Sequence, residues 1–211
     1  MLLSTAYFPP VAWLALAARD MKVPVVPSSV LLEACENYQK QSYRNRCYIL
    51  AGDGVQMLQV PVVHGESKRI TDIRVDYSTP WIVRTQRALD TAYETAAYYE
   101  YYRDQVFGLL EARPSTLFQL NLSTIRFLLE KTGVACELSP TTQFTGPDVE
   151  ADDFRFSIHP KKQDTVLEDL HLDKPYYQVF RDRMGGFTPK LSCLDLLFNE
   201  GPDSILWLKS L

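Results

Sequence analysis

The sequence predicts an α/β fold: a single mixed α/β domain over residues 1–211, strand-rich in its N-terminal third and helix-rich in the remainder. Three observations predict it. Short β-rich or alternating apolar segments crowd the chain before Val75, and apolar residues at helical spacing dominate after Pro80. Neither an internal repeat nor a low-complexity linker divides the two parts. An α+β arrangement of two lobes with a cleft between them satisfies the same pattern. At 46% apolar and 23% charged residues, the composition is that of an ordinary soluble globular chain, long enough for one large core.

Leu2–Phe8 reads as the first strand, closed by Pro9-Pro10, and Pro10 suits the first turn of a helix, where its missing N–H costs nothing. Val11, Leu14, Ala17 and Ala18 follow helical spacing up to Arg19-Asp20. Val23–Val26 and Ser29–Cys35 are short β-rich segments separated by Pro27, and Tyr48-Ile49-Leu50 is another. Asp53-Gly54 signals a hairpin, with Met57, Leu58, Val60, Val62 and Val63 on its return arm. Ile70–Val75 alternates as a strand would.

Ser78-Thr79-Pro80 opens a helix expected to run past Tyr93, with Leu89, Tyr93 and Ala96 on one face. Tyr98, Tyr99, Tyr101 and Tyr102 fall in a second helical stretch reaching about Ala112; such a cluster is either a stacking platform or half-buried packing. After Arg113-Pro114-Ser115, Thr116–Lys131 is a helix with Leu117, Leu120, Leu128 and Leu129 on its apolar stripe and Gly133 as its stop. Val134–Leu138 reads as a late strand and Thr141–Asp153 as loop. Phe154–Ile158 alternates again, and Lys161–Asp173 is a charged, solvated run. Ser192 caps a final helix bearing Leu194, Leu197 and Phe198, with Asp195 as its capping-box partner. Gly201-Pro202 breaks that helix, and Asp203 or Ser204 starts a short one containing Leu206, Trp207 and Leu208.

Charge and cysteine usage exclude several classes. A net charge of −4 argues against a nucleic-acid partner, which needs a basic face. Cys35, Cys47, Cys136 and Cys193 form no C-x-x-C pair, and His64, His159 and His171 lie far apart, so no metal is expected. Four thiols in a chain of this size fit a reducing cytoplasm. The apolar run Val11–Ala18 resembles a signal peptide, but no cation precedes Arg19 and Pro9-Pro10 interrupts it. No stretch approaches the ~18 apolar residues of a membrane span. Walker, G-x-G-x-x-G and G-x-S-x-G motifs do not occur, and no cofactor is expected.

The most unusual stretch is Glu36–Cys47, which holds Lys40, Arg44 and Arg46 with two tyrosines and no aliphatic side chain. It is either a solvated loop or the lining of a polar site. In an extended segment Arg44 and Arg46 share one face, with Tyr43, Asn45 and Cys47 on the other. Paired guanidiniums grip phosphate or carboxylate in bidentate fashion. The alternative is that the arginines pair with internal carboxylates and hold the fold together.

Together with Tyr7-Phe8-Pro9-Pro10, Leu58-Gln59-Val60-Pro61-Val62, Ile70-Thr71-Asp72-Ile73, Trp81 with Arg87 and Tyr93, Tyr177-Gln178-Val179-Phe180 and Leu191–Pro202, the Asn37–Cys47 block resembles the WbqC-like family. The resemblance implies a bacterial cytoplasmic protein of O-antigen or other surface-polysaccharide synthesis. It implies an acyl-type transfer, such as glycine onto an amino sugar, with a nucleotide-linked amino sugar as a small-molecule substrate. It carries Tyr7, Lys40, Arg44, Asn45, Arg46, Trp81 and Asp195 as substrate-binding residues and names no catalytic one. A His that often follows the Trp by four residues in the family is Thr85 here. From another functional class, a non-catalytic scaffold for a glycan-synthesis enzyme fits that substitution. Cys193, near a helix start, has two readings: a thiol activated by the helix dipole, or a buried apolar thiol among Leu191, Leu194 and Leu197.

Overall fold

A computed structural model describes residues 1–19, 27–63, 65–146, 152–161 and 170–211. The expected strand Val23–Val26 and most of the run Lys161–Asp173 lie outside the described residues. The architecture is mixed α/β, built on a three-stranded parallel sheet and a separate antiparallel hairpin. The sheet contains β1 (Leu2–Ser4), β2 (Ser28–Glu33) and β5 (Cys136–Pro140), with β2 in the centre. Leu3 pairs with Leu32 on one side, and Val30 with Leu138 on the other. All three strands run the same way, so Ser4, Glu33 and Pro140 end at one edge of the sheet.

Helix α1 (Val11–Arg19) joins β1 to β2, and Val11–Ala18 are all buried, which is why the segment reads as uniformly apolar. β1 is shorter than the sequence suggests. Thr5–Phe8 leave the sheet and are buried without alternation, and Phe8 adopts a φ of 39°. That backbone is held by hydrogen bonds from its own N–H to Thr124 Oγ1 and from Ser192 Oγ to its carbonyl.

β3 (Arg46–Ala51) and β4 (Gly54–Gln59) form the hairpin signalled by Asp53-Gly54; Ala51 pairs with Gly54 across a Gly52-Asp53 loop. Ile70–Val75 is not a strand. Ile70–Asp72 is a single 3₁₀ turn, because Ile70 and Ile73, three apart, are both buried and Asp72 is bonded locally to Ser67. Helix α2 (Trp81–Tyr93) ends at Tyr93 rather than passing it. α3 (Tyr99–Glu111) follows, with Tyr99 buried and Tyr101 exposed, so the tyrosine cluster is largely packing. α4 (Leu117–Thr132) has both termini specified by sequence. Thr116 and Gln119 form a capping box, and left-handed Gly133 closes a Schellman motif in which the Val134 N–H reaches Leu129 O.

Phe154–Ile158 is a turn, not a strand, because Asp153 Oδ1 accepts from both the N–H and the Nε of Arg155 and curls the chain. The chain ends in α5 (Cys193–Glu200) and α6 (Ser204–Lys209). Ser192 caps α5, accepting from the Leu194 N–H at 3.2 Å, but Asp195 does not return the bond; its carboxylate points elsewhere. One cluster of buried apolar side chains runs from Leu3 to Leu208. Backbone bonds from Cys193 N–H to Pro9 O and from Tyr7 N–H to Tyr43 O bring the N-terminal, central and C-terminal blocks of the sequence together.

Candidate functional site

The chain from Gln39 to Asn45 is a compact turn, not an extended segment. Ser42 Oγ donates to Gln39 O at 2.7 Å and accepts from the Arg44 N–H, while Gln41 takes a φ of 59°. The side chain of Asn121 donates to Arg44 O at 2.8 Å, and Asn45 Nδ2 donates to Val60 O at 3.0 Å, tying the turn to α4 and to the end of β4. The two arginines therefore do not share a face. Arg44 points inward and is 3% exposed; its Nε donates to Glu36 Oε1 at 2.9 Å and its Nη2 to Ser4 Oγ at 2.7 Å, with a further bond to Glu36 Oε2. Arg46, the first residue of β3, is half-buried and its Nε donates to Gln59 Oε1 at 3.0 Å.

Arg46, Lys40 and Asn45 line one open cleft of about 310 Å³, with Tyr38, Gln59 and Val62 among its walls. Through Tyr38, Lys40 and Val62 it continues into a second cleft of about 230 Å³ that adds Lys68. Among the described residues, neither is lined by an aspartate or glutamate. Three cations without a facing carboxylate favour an anion, and Arg46 presents a planar fork for phosphate or carboxylate. Burial raises the Tyr38 hydroxyl above its ordinary range while Arg46 and Arg44 pull it down, which places that ring within the field of both cations. Asn45 is buried, and its Oδ1 has no hydrogen-bond partner among the described residues.

The remaining expected site residues lie inside the protein, away from this cleft's lining. Tyr7 is fully buried, with its hydroxyl unpartnered among the described residues; burial pushes that hydroxyl well above the tyrosine range, and Thr85 opposes the shift without reaching hydrogen-bonding geometry. Trp81 stacks on Tyr77 with centroids 5.9 Å apart, and its indole N–H is also unpartnered among the described residues. Asp195 is enclosed: Tyr93 donates to Oδ1 at 2.8 Å, while Tyr176 and Gln178 donate to Oδ2 at 2.7 and 3.0 Å. Burial raises its pKa to about 6 against the lowering by those three donors. Cys193 is fully buried and burial pushes its thiol up, so it is the apolar thiol and not an activated one.

Sequence reasoning missed a buried charge network at the carboxyl edge of the sheet. Arg155 is 2% exposed; its Nη1 donates to Glu33 Oε2 at 2.5 Å, its Nη2 to Asp153 Oδ2 at 2.7 Å and to Thr145 O at 2.8 Å. Glu33 Oε1 in turn accepts from the Cys35 N–H and from Thr141 Oγ1, each at 2.7 Å. The signal was an arginine between two phenylalanines directly after an aspartate, which local alternation disguised as a strand.

A family model described as "WbqC-like protein family" matches residues 22–167, taking in Lys40–Arg46 and Trp81 but not Tyr7 or Asp195. The chain is similar to an uncharacterized protein of Mycobacterium tuberculosis, 26% identical over 194 residues that cover 82% of this chain and 84% of that protein. No solved structure matches.

Proposed function

Since the chain belongs to the WbqC-like protein family, we propose that it is a transferase of bacterial surface-polysaccharide biosynthesis, passing an acyl or glycyl group to an amino sugar. The observation that carries the reading is the cleft of Lys40 and Arg46, extended by Lys68, with no carboxylate in its lining among the described residues. Such a cleft suits the phosphates of a nucleotide-linked sugar or the charged end of an acyl donor. In this reading Lys40 and Arg46 grip the anion, Gln59 fixes the guanidinium plane through Arg46 Nε, and Asn45 lies at the cleft wall. Arg44, Tyr7, Trp81 and Asp195 are buried outside the cleft lining and in this reading do not touch substrate.

Calorimetric titration with nucleotide-linked amino sugars, acyl donors and glycine tests the reading. The expected result is binding that weakens with added salt and is lost in Arg46→Gln and Lys40→Gln with the unfolding temperature unchanged. Absence of binding by the folded protein, or full binding by both variants, overturns it.

A scaffold role for a glycan-synthesis enzyme is the second reading. It is favoured by the enclosure of Cys193 and Asp195 and by Thr85, itself buried, where the family often has His. Turnover by the isolated chain excludes it.

A further inference from the structure

The segment Glu36–Lys40 is a wall with two sides. Tyr38 and Lys40 line the cationic clefts, whereas Glu36, Asn37 and Gln39 line another of about 380 Å³ together with Cys35, Phe144 and Phe156. This third cleft is built from the segments that follow β2 and β5 together with the turn that carries Phe156, at the carboxyl edge of the parallel sheet, where open α/β sheets take their ligands.

Its two aromatic rings are both exposed and fixed. Phe144 is 52% and Phe156 39% exposed, yet the guanidinium carbon of Arg155 stands over both rings, 5.1 and 5.4 Å from their centroids. That arginine is itself immobilised by Glu33, Asp153 and the Thr145 carbonyl. Beside the rings, the side-chain amides of Asn37 and Gln39 have no hydrogen-bond partner among the described residues. The cleft offers no net charge to select an ion, because its carboxylate, Glu36, is held by Arg44.

We infer that this cleft is a carbohydrate subsite, taking one neutral hexopyranose ring. A pyranose lays its C–H face on a single aromatic face and turns its hydroxyls outward in the ring plane. There each hydroxyl both donates and accepts, as does the side-chain amide of Asn37 or Gln39. Arg155 stands over Phe144 and Phe156 and leaves each ring one face for a ligand, enough for a single stacked pyranose. Placing this ring as the sugar half of the substrate whose anionic half lies against Lys40 and Arg46 rests on the function proposed above; the stacking itself does not.

Saturation-transfer NMR on the full chain, with methyl α-glucopyranoside and its 2-acetamido analogue as probes and adenosine as comparison, tests the inference. Saturation is expected at the pyranose ring C–H protons. Affinity falls about fivefold in Phe144→Leu and in Phe156→Leu, which keep apolar bulk but lose the aromatic face, with the unfolding temperature unchanged. Sugar binding that persists in Arg46→Gln while the anion is lost locates the two subsites separately. If the phenylalanine variants weaken sugar binding but Arg46→Gln leaves anion binding intact, the carbohydrate subsite stands and the anion reading falls. No saturation of either sugar, equal saturation in both leucine variants, or binding of adenosine in preference to the sugars overturns the inference.

Discussion

Arg44 and Glu36 form an ion pair with side chains 3% and 4% exposed, bonded through both carboxylate oxygens and supported by Ser4. Burial nonetheless raises the Glu36 pKa, outweighing the hydrogen bonds from Arg44. Such a pair contributes little net stability against an apolar replacement of both residues, but removing one member strands the other charge in the interior. Arg44→Ala is therefore expected to cost about 3–5 kcal/mol in urea unfolding, whereas the Arg44→Met/Glu36→Leu double variant recovers most of that loss. A cost below about 1 kcal/mol for the single variant would place the pair in solvent and return Arg44 to the substrate side.

At Gly201 the backbone sits at φ 55° and ψ −129°, and a Cβ there would come 2.5 Å from the Tyr98 ring. The Tyr98 N–H is bonded to Phe198 O within the same corner, which fixes the backbone from which the ring projects toward Gly201. Gly201→Ala adds backbone strain to a steric clash and is expected to lower stability by roughly 2–4 kcal/mol. Gly65→Ala, with open space around its Cβ, serves as the control and leaves the unfolding midpoint unchanged.

Much of the fold is legible in the sequence where a local device specifies it. The Thr116–Gln119 box and Gly133 fix α4, and Asp53-Gly54 fixes the β3–β4 hairpin, without help from the rest of the chain. Misreadings fall where tertiary partners override local pattern. Phe154–Ile158 alternates only because Arg155 turns inward to meet Glu33, 122 residues away in sequence. Asp195 has capping-box spacing but is drawn off by Tyr93 and Tyr176. The cationic cleft was half legible. Lys40, Asn45 and Arg46 meet there, but the turn closed by Ser42 separates Arg44 from Arg46, and no periodicity argument reveals a serine accepting from a backbone N–H two residues on.

The four thiols divide into two pairs. Cys47 and Cys193 are fully buried, with their thiols pushed far up by burial, whereas Cys35 and Cys136 are half-exposed, the Cys136 thiol being raised by its partial burial. A thiol reagent at neutral pH is expected to label Cys35 and Cys136 in the native protein and to reach Cys47 and Cys193 only after denaturation, as peptide mapping would reveal. Native labelling of Cys193 would restore its reading as a thiol activated at the helix start.

Asp195 makes stability depend on pH in a direction opposite to that of an ordinary salt-bridged carboxylate. Its folded-state pKa is about 6, against 3.8 for the unperturbed group, with burial the first cause and the donors Tyr93, Tyr176 and Gln178 restraining it. The folded state thus takes up this proton before the unfolded chain does. Its contribution is fully present below about pH 4 and is lost as pH rises through about 6. The difference in pKa corresponds to about 3 kcal/mol. In Asp195→Asn this titration is absent and the amide keeps the size of the group. The stability of the natural chain relative to Asp195→Asn should therefore grow as pH falls from 7 to 4.5. Parallel denaturation series on the two proteins measure it, and because other carboxylates are common to both, their titrations cancel in the difference. A gap that stays constant across that window, or narrows toward acid, would mean that the Asp195 carboxyl is ionised throughout, its three donors outweighing its burial.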